Sequence, residues 1–109
     1  MGPIEVREYL TRDGKSPYRQ WLGGLEVQTR ARVQARILRF ELGNFGDVKP
    51  VGDGIYEARF MFGAGYRLYF ARDGAALVLL FCGGDKQTQR SDINKAKKYL
   101  RDYRERADG

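Results

Sequence analysis

Histidine is missing from this 109-residue chain altogether. Imidazole is therefore excluded as a general base, as the partner of a serine or cysteine nucleophile, and as a metal ligand. Cysteine occurs once, at Cys82. One thiol forms no intramolecular disulfide and no CxxC pair for zinc, so a reducing cytosol is the expected compartment. Cys82 is expected to pack as a small apolar residue at a strand end. Long apolar runs are also missing. No stretch nears the length of a membrane span, and "MGPIEVREYL", with Glu5 and Glu8, lacks the pattern of a signal peptide. A cytoplasmic protein with no membrane partner is expected. Acidic residues are the minority, 14 Asp and Glu against 20 Lys and Arg. The resulting formal charge of +6 biases partners toward polyanions.

What is present points to a folded chain. A hydrophobic fraction of 42% with 13% aromatics is too rich for disorder. Residues 1–109 form one domain, without repeats or linkers. "IEVREYL" reads as a short strand with Ile4, Val6 and Tyr9 turned inward. Ser16-Pro17 is an N-cap followed by proline at the first helical position, and Gly23-Gly24 ends that helix. A second helix, from about Glu26 to Glu41, has two apolar stripes, one of Val33, Ile37 and Phe40 and one of Val27, Ala31, Ala35, Leu38 and Leu42. Arg32, Arg36 and Arg39 lie between them. Such a helix is either sandwiched inside the domain or covered by a partner.

Three strands are expected after "GNFGD": about Ile55 to Phe62, Tyr66 to Ala71 and Ala76 to Cys82. Gly63-Ala64-Gly65 and Asp73-Gly74 are the hairpin turns. Pairing Phe62 with Tyr66 sets Phe60 opposite Leu68 and Ala58 opposite Phe70. The second turn sets Leu68 opposite Leu79 and Tyr66 opposite Phe81. Glu57, Arg59, Met61, Arg67 and Tyr69 then share the other face. The third strand is apolar on both faces and should be central. A last helix is expected from an N-cap near Ser91, burying Ile93, Ala96, Leu100 and Tyr103. Its Lys95, Lys97, Lys98, Arg101 and Arg104 face solvent or a polyanion. The fold class is α+β, a small, mainly antiparallel sheet of four to five strands with two helices in the N-terminal half and one at the C-terminus.

The loop after the central strand, "GGDKQTQRSD", hangs near Arg67, with Arg59 diagonally across the hairpin. Arginines match phosphate oxygens in bidentate fashion. RNA carries its own nucleophile, the 2′-hydroxyl, so a site of Arg59, Arg67 and Lys86 needs no serine, histidine or metal, and no cofactor is expected. Proton transfer would fall to Asp92, Asp85, Glu57 or a lysine. Each of these residues also has an ordinary structural role open to it. Arg59 can be a plain strand residue, Arg67 can pair with Glu57, Lys86 can be solvated, and Asp92 can complement the helix dipole.

Through "IYEARFMFGAGYRLYF", "LVLLFCGGDKQTQRSDINKAKKYL" and "IEVREYL" the chain resembles the RelE/HigB-like addiction-module toxins, in their phage-derived Gp49-like branch. The resemblance spans essentially the whole chain. It implies a ribosome-dependent endoribonuclease that cuts messenger RNA by 2′-hydroxyl attack without metal. It also implies an antitoxin, usually of helix-turn-helix type, through whose complex alone operator DNA is bound. Arg67 takes the place of the phosphate-stabilising arginine, Arg59 that of a basic strand residue, and Lys86 that of the basic residue after the central strand. Asp92 stands where related toxins have a tyrosine, and Glu57 where they have the first of a basic pair on the strand. Catalysis is thus expected at Arg59, Arg67, Lys86 and Asp92. RNA contact is expected at Glu57, Tyr69, Asp85, Gln89, Arg90 and Lys95. Ribosomal RNA would meet the basic faces of the two longer helices. The same resemblance leaves two other classes open, a gyrase inhibitor of ParE type and a binding module without chemistry.

Overall fold

The computed structural model describes residues 3–108. The elements run β1 (Glu5–Glu8), α1 (Pro17–Gly23), α2 (Val27–Glu41), β2 (Val48–Gly52), β3 (Ile55–Arg59), β4 (Arg67–Asp73), β5 (Leu77–Gly84) and α3 (Gln89–Asp108). One five-stranded sheet has the order β1-β5-β4-β3-β2. Only β1 pairs in parallel, with β5; the other pairs are antiparallel. The fold is the small α+β arrangement expected, with β5 in the interior of the sheet.

Ser16 caps α1 as its sequence suggests, its hydroxyl accepting from the Arg19 N–H at 3.0 Å with Pro17 following. Helices α1 and α2 cover one sheet face. There Tyr18, Leu22, Val33 and Phe40 pack on Ala58, Phe60, Leu68, Phe70, Val78 and Leu80. Helix α3 covers the opposite face, where Ala96 and Leu100 pack on Ile55, Tyr69, Ala71, Leu79 and Phe81. Both faces are thus buried, and the sheet has no open concave side in its middle. In and beside β1, Ile4 and Val6 pack on the first cluster and Tyr9 in the second.

Several details depart from the sequence expectations. Strand β2 was not foreseen. It is an edge strand carrying Pro50, a residue tolerated only where no ladder donor is needed. Its turn, Gly52-Asp53-Gly54, has positive φ at all three residues, Asp53 included (φ 55°). Secondly, Ala58 pairs with Leu68 and Tyr56 with Phe70, two residues from the expected register. An even slip preserves which side chains share a face. The third departure reverses a face. A bulge between Tyr69 and Phe70 pairs Tyr69 with Cys82 but Phe70 with Leu80. Leu79 and Phe81 therefore lie under α3, and Leu80 takes the position expected of them. Lastly, α3 begins at Gln89, two residues before Ser91.

The second stripe of α2 is not sandwiched. Val27, Leu38 and Leu42 are exposed. Arg36, by contrast, turns inward. Its guanidinium donates to the carbonyl oxygens of Phe45, Asp47 and Arg59. Burial pulls its pKa below the ordinary arginine value. It closes the α2–β2 connection and is not available to a polyanion as the stripe of arginines suggested. Arg32 lies over the Phe62 ring, 4.6 Å from its centroid.

Cys82 is buried, as expected of a small apolar residue. Burial pushes its thiol up to about 12. The reactive form is the thiolate, so the native protein should resist iodoacetamide at pH 8. Alkylation should follow the unfolding curve in denaturant, and rapid modification of native protein would contradict this packing.

Candidate functional site

The β3–β4 register sets Glu57 opposite Tyr69 and Arg59 opposite Arg67, all on the α3 side of the sheet. Glu57 and Tyr69 lie beneath the start of α3 and are both 0% exposed. The two arginines sit one pair further along, where the helix no longer covers the strands. Glu57 collects the neighbouring donors. Its Oε2 accepts from the Tyr69 hydroxyl at 3.1 Å and from Gln89 Nε2 at 2.8 Å. Arg67 Nε stands 3.6 Å from the same oxygen, and Lys49 Nζ 3.9 Å from Oε1. Burial, with Glu57 alongside, pushes the Tyr69 hydroxyl pKa far above its ordinary value, so it stays a donor.

Arg67 is held at the edge of this network. Its side chain is 13% exposed. Its Nη1 donates to Gly65 O at 2.8 Å. A Cβ on Gly65 would come within 3.4 Å of both that Nη1 and Lys86 Cβ, so Lys86 flanks the same glycine. The Lys86 N–H reaches Ala64 O at 3.4 Å. Arg59 is 42% exposed on its side chain and pairs with Asp47, Nε to Oδ2 at 3.2 Å. Arg59, Arg67 and Lys86 are thereby brought to one end of the sheet. An open pocket of ≈ 470 Å³ lies there, lined by Arg59, Arg67, Phe62, Tyr66 and their neighbours.

The remaining expected residues divide into two groups. Lys86, Arg90 and Lys95 are exposed. Asp85 spends its Oδ1 on the Gln87 and Thr88 N–H groups, at 2.8 and 3.2 Å, shaping the turn into α3. Asp92 is buried, its Oδ2 accepting from the Thr88 hydroxyl at 2.6 Å. Direct RNA contact by Glu57 and Tyr69 is corrected by their complete burial. Gln89 is committed to Glu57, and Asp92 braces the first turn of α3 against the end of β5. The pocket's aromatic and thioether lining, Met61, Phe62 and Tyr66, was missed as a functional feature. "FMFGAGY" reads as a strand end and a hairpin, and only the early termination of β3 at Arg59 turns these side chains into a loop.

Two glycines fit β5 to its neighbours. A Cβ on Gly83 would overlap the Trp21 indole, and one on Gly84 would overlap the Asp92 carboxylate. Gly84→Ala should therefore cost about 1–3 kcal/mol through overpacking. Chemical denaturation reads this directly, and an unchanged midpoint would contradict the contact with Asp92. Among the described residues no group of three or more Cys, Asp or Glu is placed to hold a metal ion.

Residues 20–103 match the family described as phage-derived protein Gp49-like (DUF891). The chain belongs to this family. The Gp49-like domain is related to the RelE/ParE superfamily, whose topology the five-stranded sheet and three helices share. An uncharacterized protein of Haemophilus influenzae is 45% identical over 95 residues, spanning 86% of this chain and 90% of the relative. No helix among the described residues of this Gp49-like domain is long and apolar enough to cross a membrane.

Proposed function

We propose that this Gp49-like domain is a HigB-like toxin of a type II toxin–antitoxin pair and cuts messenger RNA in the decoding site of the ribosome. The observation that carries the reading is the arginine pair Arg59–Arg67 with Lys86 at the open end of the sheet. In the proposed reaction the 2′-hydroxyl oxygen bonds to the adjacent phosphorus. The bond to the 5′-oxygen breaks, and the products end in a 2′,3′-cyclic phosphate and a 5′-hydroxyl. The fork of Arg67 matches two phosphate oxygens and stabilises the charge that grows on them. Arg59 and Lys86 add positive potential. The proton leaves the 2′-hydroxyl and a proton reaches the 5′-oxygen. With Glu57, Tyr69 and Asp92 committed beneath the surface, Lys86 and Asp85 are the side chains left to exchange these protons, and the ribosome supplies what they do not.

Ribosomal RNA would lie along the exposed Lys95, Lys98, Arg101 and Arg104 of α3. Such contacts position without reading sequence and weaken steeply with salt. The exposed apolar stripe of α2, Val27, Leu38 and Leu42, is the proposed seat of a helix-turn-helix antitoxin. Through it alone the complex would bind operator DNA. Action on ribosomes places the protein in the cytoplasm.

A second reading, a binding module without chemistry, is favoured by one observation. Each arginine of the pair already faces a carboxylate, Asp47 or Glu57. Induced expression in a bacterial host, with 5′ ends of messenger RNA mapped, separates the readings. Growth arrest with codon-phased cuts is expected. Arrest with DNA-damage signalling and no cuts would move the case to gyrase, and folded protein without arrest would leave the binding module.

A further inference from the structure

The loop 60–66 that closes the pocket is unusual in its chemistry. A connection at a surface ordinarily carries polar side chains, yet "FMFGAGY" carries none except the Tyr66 hydroxyl. Met61 is 86% exposed. The glycines of this loop seat particular groups. Gly63 has φ 63°, and a Cβ there would come 2.8 Å from Tyr66 Cε2, so the ring lies against bare backbone. Gly65, with φ 76°, makes room for the Arg67 guanidinium and Lys86. The Phe62 ring stands 5.8 Å from that of Tyr66 and carries the Arg32 guanidinium on one side.

Two cations, Arg59 and Arg67, therefore line a pocket whose other side chains are aromatic or thioether, with Arg32 on the Phe62 ring and Lys86 beside Gly65. The nearby carboxylates are occupied, Asp47 with Arg59 and Glu57 within the buried network. A surface with excess positive charge beside the half-buried rings of Phe62 and Tyr66 and the exposed Met61 suits an anion that carries a flat π-system. Single-stranded nucleic acid has that chemistry, because unstacked bases settle on aromatic side chains while cations follow the backbone. The volume, ≈ 470 Å³, falls within the range of small-ligand pockets.

We infer that the β3–β4 loop is a nucleotide subsite, in which Tyr66 and Met61 receive one unstacked base of the RNA whose neighbouring phosphate is held by Arg67. The inference rests on the proposed role of Arg67 as a phosphate ligand and adds the base-holding half of the site. The subsite is tolerant of sequence, since stacking uses the face that every base has.

The test uses the whole protein and a fluorescein-labelled hexanucleotide with 2′-O-methyl riboses, which binds without being cut. Anisotropy is measured beside an abasic hexamer of the same backbone. The hexanucleotide should bind wild type about 5- to 150-fold more tightly than the abasic strand. Tyr66→Ala should remove that advantage and leave abasic binding unchanged. Tyr66→Phe, which keeps the ring, should bind like wild type and guards against a folding defect. Equal affinity for the two strands, an unaffected Tyr66→Ala, or no hexanucleotide binding at millimolar protein would each overturn the subsite. Displacement by a poly-glutamate peptide as potent as RNA would overturn it in favour of an acidic protein segment. The outcomes are distinct from those for the nuclease. Tyr66-dependent binding without cuts in cells would sink the nuclease and keep the subsite. Full-rate cuts by Tyr66→Ala would do the reverse.

Discussion

Arg67→Lys is expected to lower messenger RNA cleavage about 10²- to 10³-fold while leaving the protein folded. Lysine keeps the charge near Glu57 but replaces a planar fork with a single ammonium, which lacks the two parallel donors that match a pair of phosphate oxygens. The size of the loss is that of one preorganised donor aimed at developing charge. Arg67→Ala is the less informative variant. Arg67 Nε stands 3.6 Å from a carboxylate that is itself 0% exposed, so alanine also strips a buried anion of its nearest cation. Its lost activity would therefore mix chemistry with unfolding. Single-turnover cleavage measured beside a denaturation midpoint separates the two. An Arg67→Lys protein that cuts at the wild-type rate would remove Arg67 from the reaction.

The second large effect is on stability. Glu57→Ala should destabilise the fold by about 3–5 kcal/mol, the usual result of removing one partner from a buried ionic cluster. Two donors lose their acceptor at once, the Tyr69 hydroxyl and Gln89 Nε2, and the Arg67 guanidinium loses its ion-pair partner. In a domain of this size the melting temperature should fall by more than about 10 °C. Glu57→Gln should cost less, because the amide oxygen still accepts from Tyr69 or Gln89. Thermal unfolding followed by circular dichroism reads both variants, and equal stability of wild type and Glu57→Ala would contradict the network. Because Gln89 is the first residue of α3, loss of Glu57 should also loosen that helix start. Amide exchange in residues 86–92 should rise more than in β5.

Local chemistry was legible in the sequence wherever one residue type had a single strong reason to be present. Ser16-Pro17 marked a helix start, Asp73-Gly74 a turn, and the apolar 3.6 period of α2 and α3 a buried stripe. What was hidden depended on contacts distant in the chain. Strand β2 hid behind Pro50 and a weak alternation, although Gly52-Asp53-Gly54 was a hairpin signal ahead of "IYEAR". The β4–β5 register was hidden by the bulge at Tyr69 and Phe70, which no single turn residue announces. Glu57 looked exposed because charge alternates with apolar residues along β3. Its burial depends on Gln89, Arg67 and Tyr69, all supplied by other elements. The convergence of Arg59, Arg67 and Lys86 on one sheet end was legible from topology alone. The commitment of Asp92 to Thr88 was not, since it needs the side-chain geometry of the turn before α3.

The most direct measurement uses purified ribosomes carrying a defined messenger RNA and the purified protein, with the scissile nucleotide either ribose or 2′-deoxyribose. The account predicts a single cut in the all-ribose message, a 2′,3′-cyclic phosphate on its upstream fragment, and no cut at the deoxy-substituted position. Cleavage of the deoxy message at the same bond and rate, or no cleavage of either by folded protein, would contradict it.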